Sequence, residues 1–102
     1  MKSFKLVYRA FPEFLKGKVP GFTAEGPDGK LTVMIDEDLT ESETRHILRH
    51  ELSHIVLGHF DDDRTKDKQS YLENLMEIEN EANQYADRMT DKEFADLMQY
   101  AI

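Results

Sequence analysis

The chain has 102 residues, no cysteine, and 21 Asp and Glu against 13 Lys and Arg, for a formal net charge of −8. That length builds one domain around one core and excludes two, and the acidic balance argues against a phosphate-binding surface and so against nucleic acid as a ligand. With no thiolate on offer, neither a disulfide framework nor a cysteine metal site is available, and any metal rests on His and carboxylate. Lys5 and Arg9 interrupt the N-terminal apolar positions, and no apolar run approaches membrane-spanning length. The expectation is a single soluble, cytoplasmic α+β domain over residues 1–102, without a membrane partner.

Phe4, Leu6 and Tyr8 alternate with Lys5, Val7 and Arg9, which predicts a half-buried strand over about residues 3–9. Phe11-Pro12 ends it, and the Gly- and Pro-punctuated stretch through Gly21 predicts an irregular connection. Phe22 to Glu25 and Leu31 to Ile35 flank Gly26-Pro27-Asp28-Gly29, the chemistry of a hairpin turn. Leu31, Val33 and Ile35 are its core-facing positions, with Thr32 and Met34 on the other side. Three strands are expected in one small sheet.

Thr40-Glu41-Ser42-Glu43 has the form of a capping box, so a helix should start near Glu41, run to Leu57 and stop at Gly58. It carries His50-Glu51-Leu52-Ser53-His54, an HExxH pattern. One turn apart, His50 and His54 present two imidazoles to a single point, the spacing a tetrahedral zinc ion needs. Glu51 points close to the same side at ~100° per residue, where a carboxylate can hold and deprotonate a water. Ile47, Leu48, Leu52, Ile55 and Val56 supply the apolar arc expected beside such a site. Asp61 to Lys68 contains no apolar residue and reads as a solvated loop; it also lacks the ligand alternation and turn glycine of a calcium loop.

A second helix is expected over about Ser70 to Met89, with Leu72, Leu75, Met76, Ala82, Ala86 and Met89 as its apolar stripe. Thr90-Asp91-Lys92-Glu93 is a second capping box, with Met89 and Phe94 as its staple, and opens a third helix buried through Phe94, Leu97, Met98 and Ala101. A third metal ligand must come from the second helix, where Glu77, Glu79 and Glu81 compete. Leu72, Leu75, Met76, Asn83 and Ala86 fall within about 60° of Glu79, which puts Glu79 in the middle of the stripe and Glu77 and Glu81 on the solvent side. A buried carboxylate needs a partner, and a cation meets that need. Glu81 stays open as the alternative ligand. Asn83, one turn beyond Glu79, is placed to orient a ligating imidazole.

The motif His50-Glu51-Leu52-Ser53-His54 with Leu57-Gly58-His59, followed by Glu79-Asn80-Glu81-Ala82-Asn83-Gln84-Tyr85-Ala86, resembles the ImmA/IrrE family of zinc metallopeptidases, whose members look like HELGHxxLGH and then ExEANxFA. The resemblance spans about residues 30 to 98. It implies a zincin-like fold, zinc held by His50, His54 and Glu79, and Glu51 as base. It also implies a protein substrate of the kind such families cleave: a phage or mobile-element repressor, often a helix-turn-helix protein, or a stress regulator. Arg49, Ser53 and Thr90 depart from the family pattern, and none of the three is a ligand position. A metzincin would place its third histidine six residues after the second, whereas His59 follows His54 by five. His46 and His59 are therefore expected at the surface or in support of a ligand.

In this reading zinc acidifies a water and polarises the scissile carbonyl, while Glu51 takes the proton and passes it to the leaving amine. His59, Tyr71 and Tyr85 are equal candidates to stabilise the oxyanion. If Leu31 to Ile35 is a sheet edge next to the cleft, it would receive an extended substrate by strand addition, by analogy with zincins. The rival reading is a non-catalytic, zinc-stabilised binding or inhibitory module, for which small size and acidity speak. Against it stands Glu51, for which a structural zinc site has no use.

Overall fold

The computed structural model describes residues 1–102 and is an α+β domain: three strands, β1 (Phe4–Arg9), β2 (Gly21–Glu25) and β3 (Leu31–Asp36), then three helices, α1 (Glu41–Val56), α2 (Lys68–Arg88) and α3 (Asp91–Met98). No helix is long and apolar enough to cross a membrane. The sheet order is β1-β3-β2, with β1 parallel and β2 antiparallel to β3. The predicted turn closes the β2–β3 hairpin: Gly26 N–H donates to Lys30 O at 2.9 Å, and Gly29 takes the positive φ of 78° that its turn requires. β3 is therefore the central strand, paired on both sides, and the condition for strand addition at Leu31 to Ile35, that it be an edge, is not met. The edge beside α1 is β2. At the other side Phe4 bridges to Ala101, so the C-terminal residues lie against the start of β1.

One face of the sheet is buried. Phe4, Leu31, Val33 and Ile35 pack against Leu48, Leu52 and Ile55 of α1 and against Met89, and α3 adds Phe94, Leu97 and Met98 around them. Each fully buried aliphatic side chain contributes about 1.5–3 kcal/mol. Gly21 is where β2 comes nearest to α1: a Cβ there would lie 2.7 Å from Ile47 Cγ2, so the close approach requires glycine.

The capping box at Thr40 is complete, with Glu43 N–H donating to Thr40 Oγ1 at 3.1 Å and Thr40 N–H to Glu43 Oε1 at 3.0 Å. α1 ends one residue short of the expected limit, and Gly58 turns the chain at φ 70°. At Thr90 only half of the predicted box forms: Glu93 N–H donates to Thr90 Oγ1 at 3.1 Å, while the Glu93 carboxylate is drawn to the Tyr85 hydroxyl. Arg49 and Ser53 also have structural partners. Arg49 donates to Met89 O at 2.6 Å and to Asp91 Oδ1 at 2.5 Å and lies over the Phe94 ring, fastening α1 to the α2–α3 junction. Ser53, fully buried, satisfies its hydroxyl on Arg49 O one turn back at 2.7 Å.

Two expectations for the second half need correction. The stripe of α2 is centred on Ile78 and Ala82, both fully buried, while Leu72 and Met76 are 58% and 79% exposed. Leu75, Ala82, Tyr85 and Met89 all fall within about 60° of Ile78, so the true stripe has helical period too; the N-terminal half of α2 simply overhangs the sheet. Of the stretch Asp61 to Lys68, expected as a solvated loop, Lys66 to Lys68 are exposed, but the part up to Thr65 belongs to two 3₁₀ turns, His59–Asp61 and Asp63–Thr65, in which Asp62, Arg64 and Thr65 are half-buried. Arg64 binds Asp62 through both Nε and Nη2, which adds polar ties to the packing of Phe60 against the core.

Candidate metal centre

Helical geometry puts His50 and His54 on one face of α1, and their Nε2 atoms come within 3.1 Å of each other, rings edge-on at 85°. From α2, Glu79 reaches across with Oε2 at 3.0 Å from His50 Nε2 and Oε1 at 3.4 Å from His54 Nε2. One ligand atom from each residue lies within 4.8 Å of the other two. Glu79 sits at the edge of the α2 stripe rather than in its middle, about 100° from Ile78, and so opens onto a cleft.

Glu81 lies on the other flank, about 60° from Ile78, and is not on the solvent side as expected. Its carboxylate accepts from Arg64 Nη1 at 2.8 Å and Nη2 at 2.9 Å and stands 2.9 Å from His59 Nε2. Hydrogen bonds from Arg64 hold the Glu81 carboxyl down at about 2. Of the three acids in contention, Glu79 alone lies against both Nε2 atoms; Glu77 pairs with Arg64 at 3.1 Å. His59, 3% exposed, is no surface residue: its Nδ1 is 2.8 Å from His54 Nδ1. His46 is exposed at the cleft rim.

The donor chemistry fits a divalent metal. His50 Nδ1 lies 2.9 Å from Asn83 Oδ1, an acceptor for a proton on that nitrogen, which suits Nε2, 3.0 Å from Glu79 Oε2, to be the ligating atom. Burial pushes the His54 imidazole down to about 4, against the pull of Glu79, so it is neutral at pH 7, which is the ligating form. Lone pairs converging with a carboxylate repel unless a cation lies among them, and two imidazoles with one carboxylate are the donors of a three-ligand zinc site.

Glu51 is buried beside this cluster, with Oε2 3.9 Å from His50 Nε2. Burial raises its carboxyl above the usual range, only partly offset by the hydrogen bond that Thr23 Oγ1 donates to Oε1 at 2.8 Å. Thr23 comes from β2, in register with Val33 on the face turned toward α1. The cleft is about 1040 Å³, bounded by β2 on one wall, by His50, Glu51 and His54 at its floor and by Tyr71, Leu75 and Glu79 of α2 opposite. Tyr85 does not line it, and burial raises the Tyr71 phenol above its ordinary value.

The structure thus brings His50, Glu51, His54, Glu79 and Asn83 together. Sequence reasoning did not find Thr23, Arg64, or the places of His59 and Glu81 around them. Ile78 was the available signal: centring the stripe on it puts Glu79 and Glu81 on opposite flanks of the buried face. Comparison of the chain with family models, with curated proteins and with solved structures finds no match.

Proposed function

We propose that the protein is a zinc-dependent metallopeptidase that hydrolyses a peptide bond in a protein substrate. The observation that carries this reading is Glu51, a buried carboxylate with raised proton affinity, next to a His50–His54–Glu79 cluster on the floor of an open cleft. When bound, zinc would polarise the scissile carbonyl and acidify a water beside it. The residues supply the rest. Glu51 is held through Oε1 by Thr23, which leaves Oε2 facing the ligands, free to take the water's proton and return it to the leaving amine. Among the three oxyanion candidates, His59 has both ring nitrogens engaged and Tyr85 lies outside the cleft, which leaves the Tyr71 phenol. The unpaired edge of β2, not β3, borders the cleft and offers backbone groups to an extended substrate segment.

On the strength of the motif resemblance we infer that the substrate is a repressor of a mobile element or phage, such as a helix-turn-helix protein, or a stress regulator. A chain without cysteine suits the reducing cytoplasm in which such substrates work.

The test is to incubate zinc-loaded wild type and Glu51→Gln with a proteome-derived peptide library and read new termini by mass spectrometry. Wild type should cleave, with Glu51→Gln at least ~100-fold slower at unchanged zinc content. Zinc binding by both proteins with no cleavage by either would favour the binding-module reading.

A further inference from the structure

We propose that Glu81, gripped by Arg64, positions the ligand His54 through His59, by dictating which nitrogen of each imidazole carries the proton. This rests on the reading of His50, His54 and Glu79 as metal ligands.

The derivation starts at the carboxylate. Both Glu81 oxygens accept from Arg64, at 2.8 and 2.9 Å, and an ionised carboxylate can only accept. His59 Nε2, 2.9 Å from Glu81 Oε1, is therefore the N–H of that ring. In a neutral imidazole the other nitrogen is then a bare acceptor, and His59 Nδ1 lies 2.8 Å from His54 Nδ1. His54 must supply the hydrogen there, which strips its Nε2 and leaves that lone pair facing His50 Nε2 and Glu79. The opposite assignment would set a bare His59 nitrogen against the Glu81 carboxylate.

Phe60 packs against the core from the segment that carries the relay, and polar ties add to that packing. The 59–65 segment is cross-tied by Thr65 Oγ1, whose one hydrogen is shared between His59 O at 2.5 Å and Asp62 O at 2.8 Å, and by the Arg64–Asp62 pair. These bonds hold the guanidinium against Glu81 and the His59 ring behind His54. His50 has its own support in Asn83, so each imidazole ligand is oriented by a different α2 side chain.

Long-range ¹H–¹⁵N spectra of the metal-free wild-type protein read the tautomers directly. The expected result is His54 protonated at Nδ1 and His59 at Nε2; His59 protonated at Nδ1 overturns the proposal. Zinc affinity, measured by competition with a chromophoric chelator, should fall about 10–100-fold in Glu81→Ala. Glu81→Gln, which keeps a side-chain oxygen to accept from His59, should recover most of that loss. Glu77→Gln, which touches Arg64 but not His59, should bind as wild type does. Unchanged affinity in Glu81→Ala, or equal losses in the Gln and Ala variants, would overturn the relay. Should Glu81→Ala fail to fold, the wild-type spectra decide. A wild type that binds no zinc would instead remove the metallopeptidase reading, a result distinct from wrong tautomers in a protein that binds the metal.

Discussion

Thr23 Oγ1 donates to Glu51 Oε1 at 2.8 Å, joining the edge strand to the carboxylate that follows the first histidine of the motif. The bond lowers the proton affinity of a group that burial raises. Thr23→Val keeps the shape and removes the donor, so the Glu51 carboxyl should titrate at higher pH in the variant. The check is a ¹³C NMR titration of the Glu51 carboxyl in metal-free protein. The acidic limb of any peptidase pH profile should move in the same direction, because the base is then protonated over a wider range.

His54→Ala and His50→Ala should each abolish stoichiometric zinc, assayed by elemental analysis after dialysis against weak chelator. Glu79→Gln should weaken binding strongly and remove most of the rise in melting temperature that zinc gives the wild type, since a ligand stabilises only the state that holds it. Retention of one zinc per chain in His54→Ala would mean that the cluster is not the site.

Tyr71→Phe deletes one hydroxyl on the cleft wall. Peptide turnover should drop about 10–1000-fold in kcat with little change in KM, as for loss of a single oxyanion donor, while zinc affinity stays at the wild-type value. Steady-state kinetics on a peptide returned by the library screen distinguish this from a binding defect, which would appear in KM.

Arg64 holds the Asp62 and Glu81 carboxyls at about 2 through its hydrogen bonds to them. Folded-state values below the unfolded ones, roughly 4, mean that these pairs stabilise the protein above that pH and that the gain is lost as pH falls from about 4 toward 2. Arg64→Ala should therefore lower the melting temperature at pH 6 more than at pH 2.5, flattening the acid limb of the stability curve. Both carboxylates are partly solvated, which keeps the effect modest. Parallel shifts at the two pH values would contradict this account.

Ile78→Ala should destabilise the fold by about 2–5 kcal/mol, as a fully buried aliphatic residue does. Leu72→Ala, on the exposed overhang of the same helix, should stay within about 0.5 kcal/mol. Urea melts of the two variants together test where the buried face of α2 lies.

The strands, the hairpin, the helix caps and the His50–Glu51–His54 group were legible because each is local: alternation, a Pro-Asp-Gly turn, a capping box and a one-turn spacing all lie within a few residues. Helix phase puts Glu79 opposite the histidines, although the residues that set that phase, Leu72, Leu75, Met76, Asn83 and Ala86, include the exposed Leu72 and Met76 and leave out Ile78. What could not be read was tertiary. The pairing of β3 on both sides depends on where β1 docks, and with it which strand borders the cleft. The partnership of Thr23 with Glu51 depends on that same docking. Arg64, amid a run of charges, looked solvated because polar side chains order a segment through specific partners that leave no periodic trace. Spacing argues against His59 as a metzincin-type ligand, but its place against His54 needs the chain reversal at Gly58.

That reversal makes chain length itself a constraint. Had α1 continued, residue 59 would sit about 140° around the helix from His54; the left-handed turn at Gly58, φ 70° and ψ 27°, instead sends His59 back against the ring it follows by five positions. Connections between helices ordinarily accept insertions and deletions. Between Val56 and His59 a single added or lost residue would leave His50, Glu51 and His54 in place on α1 and still break the contact, so variation in length should concentrate beyond Thr65 and spare this link.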